Sequence, residues 1–427
     1  MSAGGAAASV TPSGSALRAW PTYTVLRGPR EVLFGRGVLE VIGWAASRLG
    51  RRPLLCIDPY LPDQTRLAVL DSLTKSGMTP VVVSEPFRGS TVALVEDAVA
   101  AGASAKADVV LAVGGGTTLD LGKLVALRLA RPGPLRRYYG ERRVDGPCVP
   151  LVSAPTTAGT GSEISPVAVV IDPDLDTKTV ISDPWLVPTI ALCDPVATLT
   201  CPASVTVQAG MDALVNAIES YTSADVTQTP ESLTRAVFVG NSPLTRDHAF
   251  GAVRLLAESL PRAVANGEDL DAREAVLLGS VRAALAYAQT GTGAVHALAY
   301  PVESATGLSH GLSVGLLLPY VLAYNGVDRQ ADHARMARAA KAGMADEADE
   351  TAAASLVAWV VGLKATIGVP AGLADVGLDE RSLDRIADEA HGLTRLVVNN
   401  GRPVDRPALR RILDAALAGD PWIAAVP

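Results

Sequence analysis

The sequence predicts an α/β domain built on a parallel sheet, followed by an all-helical domain. Three observations carry this expectation. Over residues 21–199, short apolar runs alternate with amphipathic stretches, the rhythm of successive β-α-β units. From residue 200 onward the chain becomes long Ala- and Leu-rich periodic stretches with almost no β-branched alternation. The change falls between Pro195 and Pro202, where proline punctuates the pattern. A chain of 427 residues also exceeds what one core usually holds, so two domains, 21–199 and 200–427, are expected.

Taken in order, residues 1–20 (MSAGGAAASVTPSGSALRAW) are small and polar, and a disordered tail is expected. They lack the basic start and apolar stretch of a secretory signal. YTVL and EVLF flank a Gly-Pro pair and predict a hairpin. VLEVIGWAASRLG predicts a helix with Val38, Val41, Ile42, Ala45 and Leu49 on one face. PLLCID reads as a buried strand, and LAVLDSLTKSG as a helix closed by Gly77. PVVVSE is a strand, ALVEDAVAAGASA a helix, ADVVLAV a strand and TLDLGKLVALRLA a helix. Past the boundary, DALVNAIESYTS, AFGAVRLLAESLPRAVA, REAVLLGSVRAALAYAQ, HARMARAAKAGMA and ALRRILDAALAG all carry helical periodicity.

Composition excludes several classes. The chain is 48% hydrophobic and 19% charged, enough to bury a large core. Its formal net charge of −7 argues against a nucleic-acid surface, which needs positive potential. No run of ~18 apolar residues without charge occurs, so no membrane span is expected. The four cysteines, Cys56, Cys148, Cys193 and Cys201, form no CxxC pair; three sit in or beside apolar runs and read as core thiols, in keeping with a cytoplasmic protein.

VVLAVGGGTTLDLGK runs an apolar strand into Gly114-Gly115-Gly116, with a helix expected from about Thr117 or Thr118. Glycines let backbone N–H groups approach a phosphate, and a helix N-terminus adds positive partial charge. A tight turn alone is the plainer reading, but three consecutive glycines carry an entropic cost that a plain turn avoids. Asp58 ends the strand PLLCID, where an acid can accept ribose hydroxyls and repel a 2′-phosphate, favouring NAD over NADP. A turn aspartate before Pro59 is the alternative. SAPTTAGTGSEISP sets Thr156, Thr157, Thr160 and Ser162 around two glycines between strand-like CVPLVSAP and VAVVID. Such a loop can donate to a pyrophosphate or a nicotinamide amide.

These stretches resemble the iron-containing (group III) alcohol dehydrogenases of the dehydroquinate synthase-like superfamily. The resemblance rests on GGGTTLDLGK, PTTAGTGSE (Pro155 to Glu163), Lys178 followed by PTIALCDP, GMDALVNAIESY, HALAYPVESATGLSHGLSVGLLLP and NNGRP, in that order, across residues 21 to 420. It implies a Rossmann-like dinucleotide-binding half, a helical metal and substrate half, and a homodimer formed through the N-terminal strand region. It implies an NAD(P)-dependent oxidoreductase interconverting an alcohol and an aldehyde or ketone. Cofactor contacts are expected at Asp58, Gly115, Gly116, Thr117, Asp120, Thr156, Thr157, Thr160, Ser165 and Lys178. Tyr300, Lys178 and Asp212 are the expected catalytic groups.

The resemblance further implies a divalent metal, Fe2+ or Zn2+, on one aspartate and three histidines. Asp212, His296 and His310 match; the position four after Asp212 holds Asn216 in place of histidine. Three arrangements stay open: a metal on three side chains with Asn216 or water completing it, a metal-free site as in maleylacetate reductases, or lost catalysis. A second departure is Tyr300, where the family pattern has histidine; its ordinary pKa of ~10 suits a donor better than a base. A third is Arg88-Gly89-Ser90-Thr91 in place of an Asn-Pro-Thr, with Arg88 a solvated loop residue or an anion contact. The stretch from Val226 to Thr245 is long for an interhelical connection and is a candidate pocket wall or subunit contact. Of five histidines, His333 lies in a charged stretch and is expected at the surface. The rival chemistry is a dehydroquinate synthase-like lyase or cyclase that uses NAD transiently.

Overall fold

The computed structural model describes residues 23–84, 89–175 and 178–425. The expected tail 1–20 and Arg88 lie outside them. The first half contains β1 (Glu31–Phe34), α1 (Ile42–Ser47), β2 (Pro53–Ile57), α2 (Asp63–Lys75), β3 (Val81–Val83), α3 (Val92–Ser104), β4 (Val109–Gly114) and α4 (Gly116–Ala130). It continues through β5 (Gly140–Glu141), β6 (Leu151–Pro155), β7 (Val167–Val170), β8 (Thr179–Ser182) and β9 (Ile190–Cys193). Six strands form one sheet in the order β1-β9-β6-β4-β2-β3, every neighbouring pair parallel.

β4 shows why both faces of this sheet are covered. Val109, Leu111 and Val113 join one apolar layer with Leu55, Ile57 and Leu73; Val110 and Ala112 join the opposite layer with Leu54 and Leu124. Successive strand side chains point to opposite faces, and both sets are apolar, so helices must bury each. α1 and α2 cover one face through Ile42, Ala45, Val69 and Leu73, and α3 and α4 cover the other through Val95, Ala98, Leu121 and Leu124.

Three local expectations are corrected. The hairpin does not form: residues 23–29 are irregular, and EVLF becomes β1, paired parallel with β9 so that Glu31 faces Ile190. VAVVID enters a second, three-stranded sheet of order β5-β8-β7, of which the rhythm of the sequence gives no sign. The predicted first helix splits into a 3-10 turn, Val38–Val41, and α1.

The second half is helical throughout: α5 (Ala203–Thr222), α6 (Pro230–Arg235), α7 (Pro243–Ala265), α8 (Leu270–Thr290), α9 (Ala294–Thr306) and α10 (His310–Gly326). α11 (Gln330–Ala339), α12 (Asp349–Ile367), α13 (Glu380–Gly392), α14 (Thr394–Val398) and α15 (Arg406–Ala418) complete it. One core joins Leu214 of α5, Leu256 of α7, Leu298 of α9, Leu317 of α10, Leu356 of α12 and Leu409 of α15. Among the described residues α12 alone is long and apolar enough to cross a membrane, with a mean hydropathy of 1.3. It is a core helix instead: Ala352, Leu356, Val360, Leu363 and Ile367 form a buried stripe at helical spacing, and Lys364 donates to Leu316 O and Ala371 O. The long segment from Val226 carries α6 and docks on the α/β half. Arg27 donates to the carbonyls of Leu233 and Val237, and Arg142 to that of Ala236.

His333 is not at the surface. It is fully buried on α11, and neither ring nitrogen has a hydrogen-bond partner among the described residues. Burial pushes its pKa down to about 4. The unfolded chain, with an ordinary value of ~6.5, therefore takes up this proton more readily than the folded one. Stability is expected to fall as pH drops from about 6.5 toward 4, by about 3 kcal/mol in total. Denaturant unfolding across that range checks this, with His333→Leu expected to flatten the slope.

Candidate active site

Three neighbouring strands, β2, β4 and β6, end on the same edge of the sheet, and each hands the chain to a polar loop. Asp58 follows β2, Gly115 follows β4, and Thr156-Thr157 follow β6. Loops at the carboxyl ends of parallel strands form the ligand crevice of such sheets. Here the crevice is a cleft of about 400 Å3. The sheet half lines it with Asp58, Tyr60, Gly115, Gly116, Thr117, Thr157 and Thr160; the helical half adds Val205, Gln208, Asp212, His310 and Gly311.

α4 starts at Gly116, slightly earlier than the sequence suggests, so the first-turn amides have no helical acceptor and face the glycine turn. A Cβ on Gly116 would sit 2.6 Å from Thr160 Cγ2, so glycine lets the threonine loop close onto the helix start. Free amides, a positive helix end and the hydroxyls of Thr117, Thr157 and Thr160 make this end of the cleft fit to receive a diphosphate. Asp58 Oδ1 accepts the Tyr60 amide at 2.9 Å, so Asp58 is both a turn aspartate and a cleft residue.

Three expected cofactor residues hold the loop rather than face the cleft. Asp120 is buried; it accepts from Ser162 Oγ at 2.6 Å and from the Val169 amide at 3.0 Å. One turn later Lys123 donates to Ser165 O at 2.8 Å and to Val167 O at 2.7 Å. Ser165 is 1% exposed and is an anchor point for that lysine. Thr156 is also buried, its amide bonded to Gly114 O at 3.0 Å. Asp120 and Lys123, three apart on one helix face, thus staple α4 to the threonine loop. Burial raises the Asp120 carboxyl and pulls the Lys123 ammonium down to about 8.

At the other end of the cleft, Asp212, His296 and His310 bring one ligand atom each to within 4.8 Å of one another. Asp212 comes from α5, His296 from α9 and His310 from the first residue of α10. Their closeness depends on Gly311: a Cβ there would lie 2.0 Å from Gln208 O, so only glycine lets α10 seat on α5. Asp212 Oδ1 lies 3.9 Å from His296 Nε2 and 3.8 Å from His310 Nε2.

Two carboxylates that the sequence reading did not single out complete the geometry. His296 Nδ1 is 2.6 Å from Glu219 Oε2, and His310 Nδ1 is 2.5 Å from Glu303 Oε1. A carboxylate only accepts, so each Nδ1 carries a hydrogen; in the neutral ring, the form that ligates a metal, the Nε2 lone pair then lies on the side of Asp212. Carboxylate-oriented imidazoles are the usual support of metal-ligating histidine. One carboxylate oxygen and two imidazoles suit Fe2+ with open positions, and equally Zn2+. The donor set therefore fits a divalent ion. Glu219 also accepts the Val295 amide at 2.8 Å, which fixes it at the start of α9.

Lys178 reaches the site indirectly, its Nζ 3.2 Å from Glu303 Oε2. Burial works against the charged Glu303, but its hydrogen bond to His310 and the charges of His310 and Lys178 outweigh it and hold the carboxyl below its usual range. Burial likewise opposes charge on His310, yet Glu303 and Asp212 raise its pKa. Tyr300 stacks on the His310 ring at 5.7 Å between centroids. Burial pushes its phenol up to about 12, so it is a hydrogen-bond donor and not a base. Asn216, expected near the ion, turns its amide nitrogen onto Asp212 Oδ1 at 3.0 Å.

Known proteins share this architecture. Residues 29–195 match the pattern described as iron-containing alcohol dehydrogenase, and residues 206–417 that of the Fe-containing alcohol dehydrogenase family, C-terminal. The chain is 33% identical to long-chain-alcohol dehydrogenase 1 of Geobacillus thermodenitrificans, over 90% of this chain and 94% of that one. It is 29% identical to the NAD-dependent methanol dehydrogenase of Bacillus methanolicus, over 85% of this chain and 92% of that one. A crystal structure of 1,3-propanediol oxidoreductase superposes with a TM-score of 0.85 at 28% identity, covering 92% of this chain and 99% of that one. With both halves matched, the chain belongs to the iron-containing alcohol dehydrogenase family.

Proposed function

We propose that this chain is an NAD-dependent dehydrogenase that interconverts an alcohol and its aldehyde or ketone with the help of a divalent ion. One observation carries the reading: a single cleft has a phosphate-receptive helix start at one end and the Asp212–His296–His310 cluster at the other. When bound, the dinucleotide exchanges hydride with the substrate, and the ion acts as a Lewis acid on the substrate oxygen.

The chain's own residues do the rest. The amides that open α4 and the Thr157 and Thr160 hydroxyls hold the diphosphate. Asp58, with one oxygen committed to the Tyr60 amide, offers the other to a ribose hydroxyl. Asp212, His296 and His310 hold the ion, with Glu219 and Glu303 fixing the two rings. Tyr300, kept protonated by burial, supplies a hydrogen-bond donor beside His310. Lys178 keeps Glu303 ionised and so keeps the proton on His310 Nδ1.

The test is reduced-nicotinamide absorbance with NAD+ and a panel of alcohols, before and after removal of metal by a chelator. Net NADH formation, lost on chelation and restored by Fe2+ or Zn2+, is expected. Substrate turnover without net NADH would instead favour the lyase or cyclase chemistry. Asp58→Asn keeps the acceptor for the Tyr60 amide and removes the charge. It is expected to relax discrimination against NADP on the order of tenfold, read as the ratio of kcat/KM values. We also carry the homodimer as a proposal: β1 is an edge strand, where strand pairing between two copies would occur, and light scattering would report the mass of two chains.

A further inference from the structure

We infer that Asn216 is a positioning residue that fixes Asp212 through its amide nitrogen, so that the ion is held by three side chains alone. The inference rests on the metal-dependent reading above. Asn216 is 3% exposed and lies one helical turn beyond Asp212 on α5, with Nδ2 3.0 Å from Asp212 Oδ1. The amide orientation follows from chemistry. Turned the other way, its oxygen would face a carboxylate oxygen with no proton between two acceptors.

The surroundings show a pattern of one orienting partner for each donor. Glu219 holds His296, Glu303 holds His310 and Asn216 holds Asp212. Asp212, Asn216 and Glu219 are spaced four and three apart, so one face of α5 supplies a ligand, its positioner and the positioner of His296. Asp212 Oδ1, the oxygen that accepts from Asn216, is also the one facing both imidazole Nε2 atoms. An amide nitrogen bonded there cannot itself ligate a cation, because it presents hydrogens and no lone pair. A site with three side-chain ligands leaves more of the coordination sphere to molecules from solution than one with four.

The experiment uses the full chain, stripped of metal and titrated with Co2+, with affinity read by competition against a chelating indicator and the ligand set read from the visible spectrum of the bound ion. Asn216→Ala is expected to weaken Co2+ binding about tenfold to a hundredfold, the usual effect of removing an orienting partner, while leaving the spectrum as in the parent. Asn216→His, which adds an imidazole, is expected to change the spectrum. Should the alanine variant not fold, Asn216→Leu, close in size and with neither a hydrogen-bond donor nor a ligand atom, gives the same reading. Two outcomes overturn the inference: a changed spectrum in Asn216→Ala, which would mean a lost ligand, or parental affinity in that variant, which would mean no positioning. A parent chain that binds no Co2+ would instead overturn the metal-dependent reading, and this inference with it.

Discussion

Asp212→Ala is expected to lower turnover by at least about a thousandfold while leaving NAD binding intact. The size follows from what is lost: Lewis-acid stabilisation of developing charge is worth several kcal/mol, and ~1.4 kcal/mol is a factor of ten in rate. Asp212 Oδ1 is the point at which His296, His310 and Asn216 converge, so its removal leaves two imidazoles without an anionic partner between them. The diphosphate end of the cleft, built from Gly115, Gly116, Thr157 and Thr160, belongs to the sheet half and does not depend on this side chain. Steady-state kinetics and NADH fluorescence titration measure the two effects separately. Turnover unchanged in this variant would remove the metal cluster from the mechanism.

Gly311→Ala should be the most damaging single-methyl addition near the site. The new Cβ would lie 2.0 Å from Gln208 O and 2.5 Å from Gln208 C, both backbone atoms of α5 that no rotamer change can move. The first turn of α10 must therefore lift away, and His310 is the residue next to the overlap. Overpacking of this kind costs about 1–3 kcal/mol or more, and the displaced imidazole should cost at least about tenfold in metal affinity. Gly362→Ala is the matched control. Gly362 is exposed within α12, a Cβ there meets nothing within 4 Å, and alanine should stabilise the helix by about 1 kcal/mol. Thermal unfolding of the two variants should shift in opposite directions.

Much of this was readable before any coordinates. The parallel sheet followed from alternating runs such as ADVVLAV, whose residues fill two opposite apolar layers. The two glycine-containing loops were picked out from their residues, and Asp212, His296 and His310 by resemblance alone; the structure brings these three side chains together. What failed did so for physical reasons. YTVL and EVLF looked like a hairpin because they are adjacent, yet the partner of EVLF is β9, far along the chain, and a strand's own pattern does not name its partner. His333 was misplaced because QADHARMARA is dominated by charge. Its place on one stripe with Met336, Ala337 and Ala340, all buried, was a signal at helical spacing that the charges masked. Glu219 and Glu303 were overlooked although Glu219 shares the α5 face of Asp212 and Glu303 shares the α9 face of His296. Asp120 belongs to a matched motif and Ser165 lies two residues past one, but only packing reveals that they brace the threonine loop from behind.

Dinucleotide and metal are expected to meet in one cleft between the two halves. Diffraction from crystals grown with NAD+ and Zn2+, collected at the zinc absorption edge, tests it most directly. Diphosphate density against the start of α4 is expected, with an anomalous peak bonded to Asp212, His296 and His310 and the nicotinamide reaching toward it. A diphosphate bound elsewhere, or a zinc peak away from those three side chains, would contradict it.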